Sequence, residues 1–248
     1  MYTYGFLRSL LDFFLPRACI ICGKVLFHDE TLICEKCAGD IPHTYFWILR
    51  NNPMADRFNE MIQENIENVK GHEKYAFAAA LFFYRPESDY REITRHIKYH
   101  GRTDVGVTFG IRLGEKLRSS RLYDDVDAVI PVPLHWLRRW KRGYNQAEII
   151  ASGVAQILNV PLRCDILERC RRTRTQTKLD IGEKAKNVRG AFVISNKCNG
   201  HQNDLKHLLL IDDVFTTGST AYACFLALRS VFPPNIRISV ATLAVVGD

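Results

Sequence analysis

The chain has 248 residues, of which 47% are hydrophobic and 11% aromatic, and this composition excludes the disordered and low-complexity classes. The length is typical of one substantial domain with a smaller one beside it. The 34 Lys and Arg residues exceed the 27 Asp and Glu residues, which gives a net charge of +7. Such an excess favours polyanions, among them nucleic acid, phosphorylated metabolites and anionic membrane surfaces, or serves solubility alone.

The first predicted element is an amphipathic helix over residues 1–16, which ends at Pro16. Its apolar stretch is similar to a signal peptide, but Arg8 and Asp12 interrupt it and no small-residue cleavage site follows. No apolar run of the sequence reaches the roughly 18–20 residues of a membrane-spanning helix. We therefore expect this helix to dock on the protein, and we expect the chain to be cytoplasmic.

Two C-x-x-C pairs follow the first helix, and a short loop separates them. They are formed by Cys19 with Cys22 and by Cys34 with Cys37, and Gly23 suits the tight turn of the first pair. Four thiolates at this spacing can converge tetrahedrally on Zn²⁺ and leave no open position for water, which predicts a structural metal site. The alternative is a pair of redox-active dithiols.

Three regions are predicted along the chain. Residues 1–45 hold the N-terminal helix and the four cysteines, residues 46–74 a connector with a helix near 54–68, and residues 75–248 an α/β domain. The predicted strands of this domain are 75–84, 126–131, 207–211 and 236–246, and the predicted helices are 89–99, 103–119, 145–158 and 218–231. Strands that alternate with helices predict a mostly parallel sheet covered by helices on both faces.

The segment 208–220 carries the most chemistry. An apolar strand ends in Asp212 and Asp213, and a loop of hydroxyl residues and Gly218 then leads into a helix. Backbone N–H groups at a helix N-terminus favour a phosphate group, and Gly218 allows the backbone to come close to it. Carboxylates accept hydrogen bonds from vicinal diols, so the segment predicts a site for a ribose 5-phosphate. The residues of the predicted phosphate loop are Thr216, Thr217, Gly218, Ser219 and Thr220.

Two other interpretations fit this segment less well. An apolar strand that ends in two aspartates also occurs as a Walker B element that holds Mg²⁺, but the partner motif G-x-x-x-x-G-K-[ST] is absent from the sequence. A simple helix cap explains the Thr and Ser residues, but it does not explain two acids at the end of a buried strand.

The segment 208–220 closely resembles the phosphoribosyl pyrophosphate (PRPP) motif of type I phosphoribosyltransferases. The segment 130–148, IPVPLHWLRRWKRGYNQAE, and the segment 172–192 are similar to hallmark sequences of the ComF (competence protein F) family. The four-cysteine region resembles the zinc ribbon of that family. The similarity runs from Cys19 nearly to the C-terminus, with the three motifs in the order typical of the family.

The resemblance implies an α/β fold of the type I phosphoribosyltransferase kind, with a mostly parallel five-stranded sheet flanked by helices and a small N-terminal zinc ribbon. It further implies that PRPP binds with Mg²⁺, that Asp212 and Asp213 are catalytic, and that the loop after the first core strand receives pyrophosphate. The implied residues of the pyrophosphate loop and its basic surroundings are Pro133, Leu134, His135, Arg138, Arg142 and Lys184.

The segment 163–189 holds nine basic and four acidic residues, which predicts a mobile flap over a polyanion or else a solvated basic stretch. Three functions remain open. The first is an enzyme that transfers a phosphoribosyl group from PRPP to an unidentified acceptor. The second is a DNA-uptake factor that binds single-stranded DNA, together with DNA-uptake proteins, through basic segments interleaved with Trp136, Trp140 and Tyr144. The third is a PRPP sensor without turnover that signals through the zinc ribbon.

Overall fold

The protein is described by a computed structural model over residues 17–27, 29–64, 73–170, 190–196 and 205–247. The helix predicted over residues 1–16 lies outside these ranges, and so do residues 171–189 of the predicted flap, including Lys184. Within the described ranges, no helix combines the length and the apolar character that a membrane crossing requires.

Four parallel strands form the central sheet of the described residues, namely β1 (Ala78–Tyr84), β2 (Ala128–Pro131), β5 (His207–Phe215) and β6 (Arg237–Val246). Their spatial order is β1, β6, β5, β2. Two short strands, β3 (Leu167–Arg169) and β4 (Phe192–Ile194), pair antiparallel in a separate ribbon. The mostly parallel sheet predicted from the sequence is therefore confirmed.

A fifth parallel strand is reduced to a single residue pair beside β2. Val129 and Leu162 form an isolated parallel bridge, in which the Val129 N–H donates to Pro161 and its carbonyl accepts from Arg163. Pro161 has no N–H of its own to extend the ladder, and the chain turns at 164–165 directly afterwards.

Helices cover both faces of the sheet, because successive strand residues point to opposite sides. Leu209 and Ile211 of β5 pack in one apolar core, while Leu208 and Leu210 pack in the other. The first core is covered by α3 (Arg91–Tyr99), α4 (Thr103–Arg118) and α6 (Gln146–Leu158). The second is covered by α2 (Pro53–Gln63) and α7 (Ser219–Arg229). The remaining described α-helices are the short α1 (Glu35–Gly39) and α5 (Trp136–Arg142).

Helices α4 and α6 approach each other closely because glycines line their interface. A Cβ atom on Gly110 would lie 2.3 Å from the Ile150 carbonyl oxygen, and a Cβ atom on Gly153 would lie 2.6 Å from the Val107 carbonyl oxygen. Neither backbone oxygen can move without displacing its helix. The two helices therefore form one closely packed layer, in which α6 lies against β2 and β5, the strands that lead to the site described below, and α4 lies against β1 and β6.

The cysteine region packs against the β1 edge of the sheet. His43 forms an antiparallel bridge with Phe82, and the Phe83 N–H donates to the Pro42 carbonyl at 2.9 Å, so this segment covers an otherwise open strand edge. The Tyr90 hydroxyl donates to the Cys37 carbonyl at 3.0 Å, which ties the region to the start of α3. The division at residues 45 and 74 stays a prediction.

Most predicted elements match the structure to within a few residues, and the differences lie near the carboxyl edge of the sheet. The strand predicted over 207–211 continues to Phe215, because β6 supplies backbone partners as far as Val245. Helix α5 and the β3–β4 ribbon were not predicted. Helix α5 lacks an apolar stripe and has no fully buried residue, and each ribbon strand has only three residues.

Candidate functional site

A cavity of about 1270 Å³ opens at the carboxyl ends of β2 and β5. β2 pairs with β5 only as far as Pro131 and Ile211, whereas β6 continues beside β5 to Phe215. The chain therefore leaves the sheet after β2, and the crevice next to the end of β5 stays open. Crevices of this kind are where open α/β sheets bind ligands.

The cavity is lined by charged and hydroxyl side chains of the described residues. Its basic residues are Lys98, Arg138, Lys141, Arg142 and Arg169, its acidic residues are Asp212 and Asp213, and its hydroxyl residues include Thr216 and Thr220. Five cations against two carboxylates give the cavity an electrostatic preference for a ligand with several negative charges. The two predicted acids, part of the predicted phosphate loop and part of the predicted basic loop thus line one cavity.

The two aspartates are linked by a backbone hydrogen bond, and their carboxyl groups have different electrostatic surroundings. The Asp213 N–H donates to Asp212 Oδ1 at 2.8 Å, and the Lys98 ammonium lies 2.8 Å from Asp213 Oδ2. Burial and the nearby charge of Asp213 raise the pKa of Asp212 to about 7. Burial lowers the pKa of Lys98, but the carboxylate of Asp213 outweighs it and the pKa is raised.

The loop after β5 turns sharply at Gly218, which lies at the N-cap of α7 with φ of +79°. A Cβ atom there would lie 2.7 Å from the ring of Phe215, so both the conformation and the space require glycine. The Thr217 and Ser219 hydroxyls bond to each other at 2.8 Å, and Ser219 is buried. Thr216 and Thr220 face the main cavity, and Gly218 lines a small adjoining cavity of about 20 Å³.

The predicted pyrophosphate loop is divided between the cavity and the protein interior. Pro133, Leu134, Arg138 and Arg142 line the cavity. His135 is buried instead, where its Nδ1 accepts the Leu137 N–H at 3.3 Å and caps the start of α5. Lys184 lies outside the described residues.

Helix α5 presents two different faces. Leu137, Arg138, Lys141 and Arg142 line the cavity, whereas the outer face, with Trp136 and Trp140, does not. Trp136 and Trp140 are four residues apart on that outer face and are 67% and 81% exposed. The outer face therefore offers two aromatic rings next to a basic cavity.

Sequence reasoning missed Lys98, Tyr99, Lys141 and Arg169 as members of the cavity. Helix α3 begins soon after β1 ends and finishes beside Asp213, so it lies along the carboxyl edge of the sheet. The spacing of the apolar residues in α3 does not predict the direction in which this helix runs along the sheet. Lys141 and Arg169 belong to basic segments that the sequence analysis singled out, but neither residue was distinguished there from its neighbours.

The four cysteines form a cluster whose sulfur atoms all lie within 4.8 Å of one another. The Cys22 and Cys34 sulfurs are 3.7 Å apart, close to the roughly 3.8 Å expected for two ligands of a tetrahedral Zn²⁺ with Zn–S bonds of about 2.3 Å. Burial raises the pKa of Cys19, but backbone N–H groups of Cys22 and Cys34 outweigh it and lower the pKa to about 7. Thiol groups packed this closely fit a structural zinc site.

No protein-family model matches the chain. The chain is 34% identical over 112 residues to competence protein F of Haemophilus influenzae, which covers 45% of this chain and 48% of that protein. It is 33% identical over 94 residues to DNA utilization protein YhgH of Escherichia coli O157:H7, which covers 38% of this chain and 39% of that protein. The chain thus matches about half the length of these curated relatives, or less. Competence protein ComFC of Bacillus subtilis is 24% identical over 218 residues, or 87% of this chain and 72% of that protein.

Two solved structures superpose in part on the chain. Orotate phosphoribosyltransferase from Aeropyrum pernix is 13% identical with a TM-score of 0.30, over 74% of this chain and 77% of that one. Adenine phosphoribosyl transferase from Trypanosoma brucei is 12% identical with a TM-score of 0.36, over 80% of this chain and 84% of that one. The sequence matches confirm the similarity to the ComF family that the motifs indicated, because competence protein F, ComFC and YhgH are all similar in sequence to this chain.

Proposed function

We propose that the cavity binds PRPP or a related ribose phosphate, and that the chain transfers the phosphoribosyl group to an acceptor with release of pyrophosphate. One observation carries the proposal: the acidic pair, Thr216 and Thr220 of the phosphate loop, and five cations line one cavity at the carboxyl edge of the sheet. Such a cavity suits a sugar with a phosphate at one end and a larger polyanion at the other.

Each part of PRPP has a matching part of the cavity. The 5-phosphate would lie at the N-terminus of α7, where Gly218 turns the backbone and Thr216 and Thr220 provide hydroxyl donors. The ribose diol would donate hydrogen bonds to Asp212 and Asp213. The pyrophosphate would lie on the opposite wall, where Arg guanidinium groups can bind phosphate oxygens in pairs.

The charged side chains of the cavity suit cleavage of the bond between C1 of PRPP and its pyrophosphate. Breaking the bond between C1 and the pyrophosphate oxygen leaves positive charge on the ribose ring and negative charge on the leaving group. Arg138 and Arg142 would stabilise the leaving group, and the Asp213 carboxylate would stabilise the ring. Mg²⁺ would neutralise part of the pyrophosphate charge. Since Asp213 already pairs with Lys98, we expect Mg²⁺ to bind mainly through substrate oxygens and water.

The test is calorimetric titration of PRPP with and without Mg²⁺, on the unsubstituted protein and on Asp213→Asn. We expect binding that Asp213→Asn weakens about tenfold or more, because a charged acceptor for the diol is lost. The matched control is Asp124→Asn, an exposed carboxylate that does not line the cavity. If the unsubstituted protein does not bind PRPP, the proposal fails.

Turnover is tested separately from binding. The protein is mixed with PRPP, Mg²⁺ and a panel of nucleobases, and release of pyrophosphate is measured. Release with at least one base supports the transferase. Tight PRPP binding without release supports a non-catalytic PRPP sensor instead.

A second candidate function is binding of single-stranded DNA, and the outer face of α5 favours it. Trp136 and Trp140 can stack on bases while the neighbouring basic side chains follow the phosphate backbone. The names of the sequence relatives refer to competence and DNA utilization, which also supports a role in DNA binding.

We expect Trp140→Ala to weaken binding of a single-stranded oligonucleotide about tenfold, since stacking contributes roughly 1–3 kcal/mol per base. Phe27→Ala, which removes another exposed aromatic ring far from α5 in the sequence, is the control. Affinity is measured by fluorescence anisotropy at several salt concentrations. A flat response to salt rejects this function, because phosphate contacts make such binding salt-dependent.

A further inference from the structure

Lys98 is a cation that lines the cavity but belongs to neither the acidic pair nor the phosphate loop. Its ammonium lies 2.8 Å from Asp213 Oδ2, and the side chains of Lys98 and Asp213 are 25% and 15% exposed. Both residues line the cavity. An ion pair sheltered in this way costs desolvation of both charges, so it is poor evidence for a purely stabilising role.

Helix α3 holds Lys98 firmly in place. Ile97, the preceding residue, is fully buried, and its carbonyl accepts a hydrogen bond from the Tyr144 hydroxyl. On the other side of Lys98, the Arg142 guanidinium lies over the Tyr99 ring at 5.4 Å from its centroid. The backbone that carries Lys98 is thus fastened to the segment that carries the basic loop.

We propose that Lys98 is a ligand-binding residue that joins the diol site to the site of the anionic group on C1. The inference rests on the proposed function of the cavity. A lysine ammonium has three N–H donors, and one of them suffices for Asp213 Oδ2. The other two are available to an oxygen of the ligand, and Asp213 Oδ1 stays available to a ribose hydroxyl.

This arrangement predicts discrimination between two related sugars. PRPP carries a pyrophosphate on C1, next to the hydroxyl that Asp213 would bind, and Lys98 can contact both groups at once. Ribose 5-phosphate has an uncharged hydroxyl on C1 and gains much less from the ammonium. Lys98 therefore contributes to the preference for a ligand with negative charge on C1.

The experiment measures the affinities of PRPP and ribose 5-phosphate for the unsubstituted protein, Lys98→Met and the control Lys206→Met. Lys206 is exposed and precedes β5 at the opposite edge of the sheet. We expect Lys98→Met to weaken PRPP about 10–100-fold, as for loss of a charged hydrogen bond, and ribose 5-phosphate less than about threefold. Lys206→Met should change neither affinity.

A second comparison removes the cost of leaving Asp213 without its cation. Asp213→Asn is compared with the double variant Lys98→Met/Asp213→Asn, in which neither member of this ion pair is charged. A further tenfold loss of PRPP affinity in the double variant supports direct contact between Lys98 and the ligand. No further loss means that Lys98 acts only through Asp213 and overturns the inference.

Three other outcomes would contradict the proposed role of Lys98. Equal losses for both sugars in Lys98→Met contradict the contact with the C1 group, and unchanged affinities contradict any contact with the ligand. If the unsubstituted protein binds neither sugar, the proposed function fails, and the role of Lys98 fails with it. That result is distinct from normal binding in which only the Lys98 variants behave contrary to expectation.

Discussion

Asp212 and Asp213 are neighbours on β5, yet the fold gives them different electrostatic surroundings. Successive side chains of a strand point to opposite faces, and only Asp213 meets the Lys98 ammonium. Asp212 is half-buried close to the charge of Asp213, and the loss of solvent together with that charge raises its pKa to about 7. One of the two carboxyl groups therefore carries a proton over much of the pH range below neutral.

The raised pKa of Asp212 makes stability depend on pH. The folded chain holds a proton up to about pH 7 that the unfolded chain releases near pH 3.8, so the free energy of unfolding falls as pH rises between these values. Asp212→Asn replaces the titrating carboxyl group with a neutral amide. At pH 8 this variant should therefore be more stable than the unsubstituted protein, by about 1–3 kcal/mol. The advantage should shrink towards pH 5. Urea unfolding of both proteins across this range measures it, and parallel pH profiles would contradict the raised pKa.

His207 shows how a residue pattern typical of catalysis can be structural. Its Nδ1 lies 2.7 Å from Asp125 Oδ1 and its Nε2 lies 2.7 Å from Ser239 Oγ, the contacts of a Ser–His–Asp triad. His207 and Ser239 are both 0% exposed, and the Ser239 hydroxyl also accepts the Phe77 N–H. No substrate can reach that hydroxyl, so the triad fastens the amino ends of β5 and β6.

Among the elements, the α4–α6 pair sets the position of the cavity wall. α6 begins at the cavity, where Gln146 and Ala147 line it, and packs along its length on α4. The close approach depends on glycine at both sides of the interface. A displacement of α6 would therefore move residues that line the site.

Gly110→Ala tests this interface. Alanine favours a helix over glycine by about 1 kcal/mol, but its Cβ would lie 2.3 Å from the Ile150 carbonyl oxygen, which cannot retreat. The clash should outweigh the helix preference, so we expect a net loss of about 2 kcal/mol in the free energy of unfolding, measured in urea. Gly39→Ala in α1 is the control, since nothing lies within 4 Å of its Cβ position. Equal effects of the two substitutions would contradict the close packing.

The sequence predicted the parts of the site that depend on local order. The apolar run of β5, the two aspartates and Gly218 are consecutive, so strand, acids and turn could be placed together. The cysteine spacing is likewise local and predicted the cluster. Lys98 could not be found in this way, because its contact with Asp213 depends on the direction of α3 across the sheet. The apolar spacing of α3 identifies its buried face but not that direction.

Helix α5 illustrates a different limit. The sequence predicts a basic segment interleaved with aromatics and no helix, because the segment lacks apolar periodicity. The structure agrees with that lack, since no residue of α5 is fully buried. Its end is marked by Gly143 in the left-handed region, with φ of +81°, which is a usual stop signal. Its start is capped by His135, which is an unusual cap, so only one of the two boundaries had a sequence signal.

At the scale of the whole molecule, the cysteine cluster and the sheet share one core. Cys19, Cys37 and Ile33 belong to the same apolar cluster as Leu81 of β1 and Ile93 of α3. His43, which follows the cluster in the sequence, also pairs with Phe82 at the β1 edge. Disturbance of the cluster should therefore reach the sheet and α3, the helix that carries Lys98.

We expect the protein to contain about one Zn²⁺ per chain and to lose stability when a chelator removes it, because a structural metal contributes directly to folding. A loss of about 3 kcal/mol corresponds to a fall of roughly 6–12 °C in Tm for a chain of this size. Since the core is shared, unfolding should remain one transition, and added Zn²⁺ should restore the Tm. Calorimetry and elemental analysis measure both effects.

Two cysteine substitutions complete this test. Cys34→Ser removes a sulfur of the cluster and should lower both zinc content and Tm, whereas Cys164→Ser changes an exposed thiol outside the cluster and should alter neither. A full zinc complement in Cys34→Ser would contradict a four-cysteine site. A chelator-induced transition separate from that of the sheet would contradict the shared core, because the cluster would then unfold without disturbing β1 and α3.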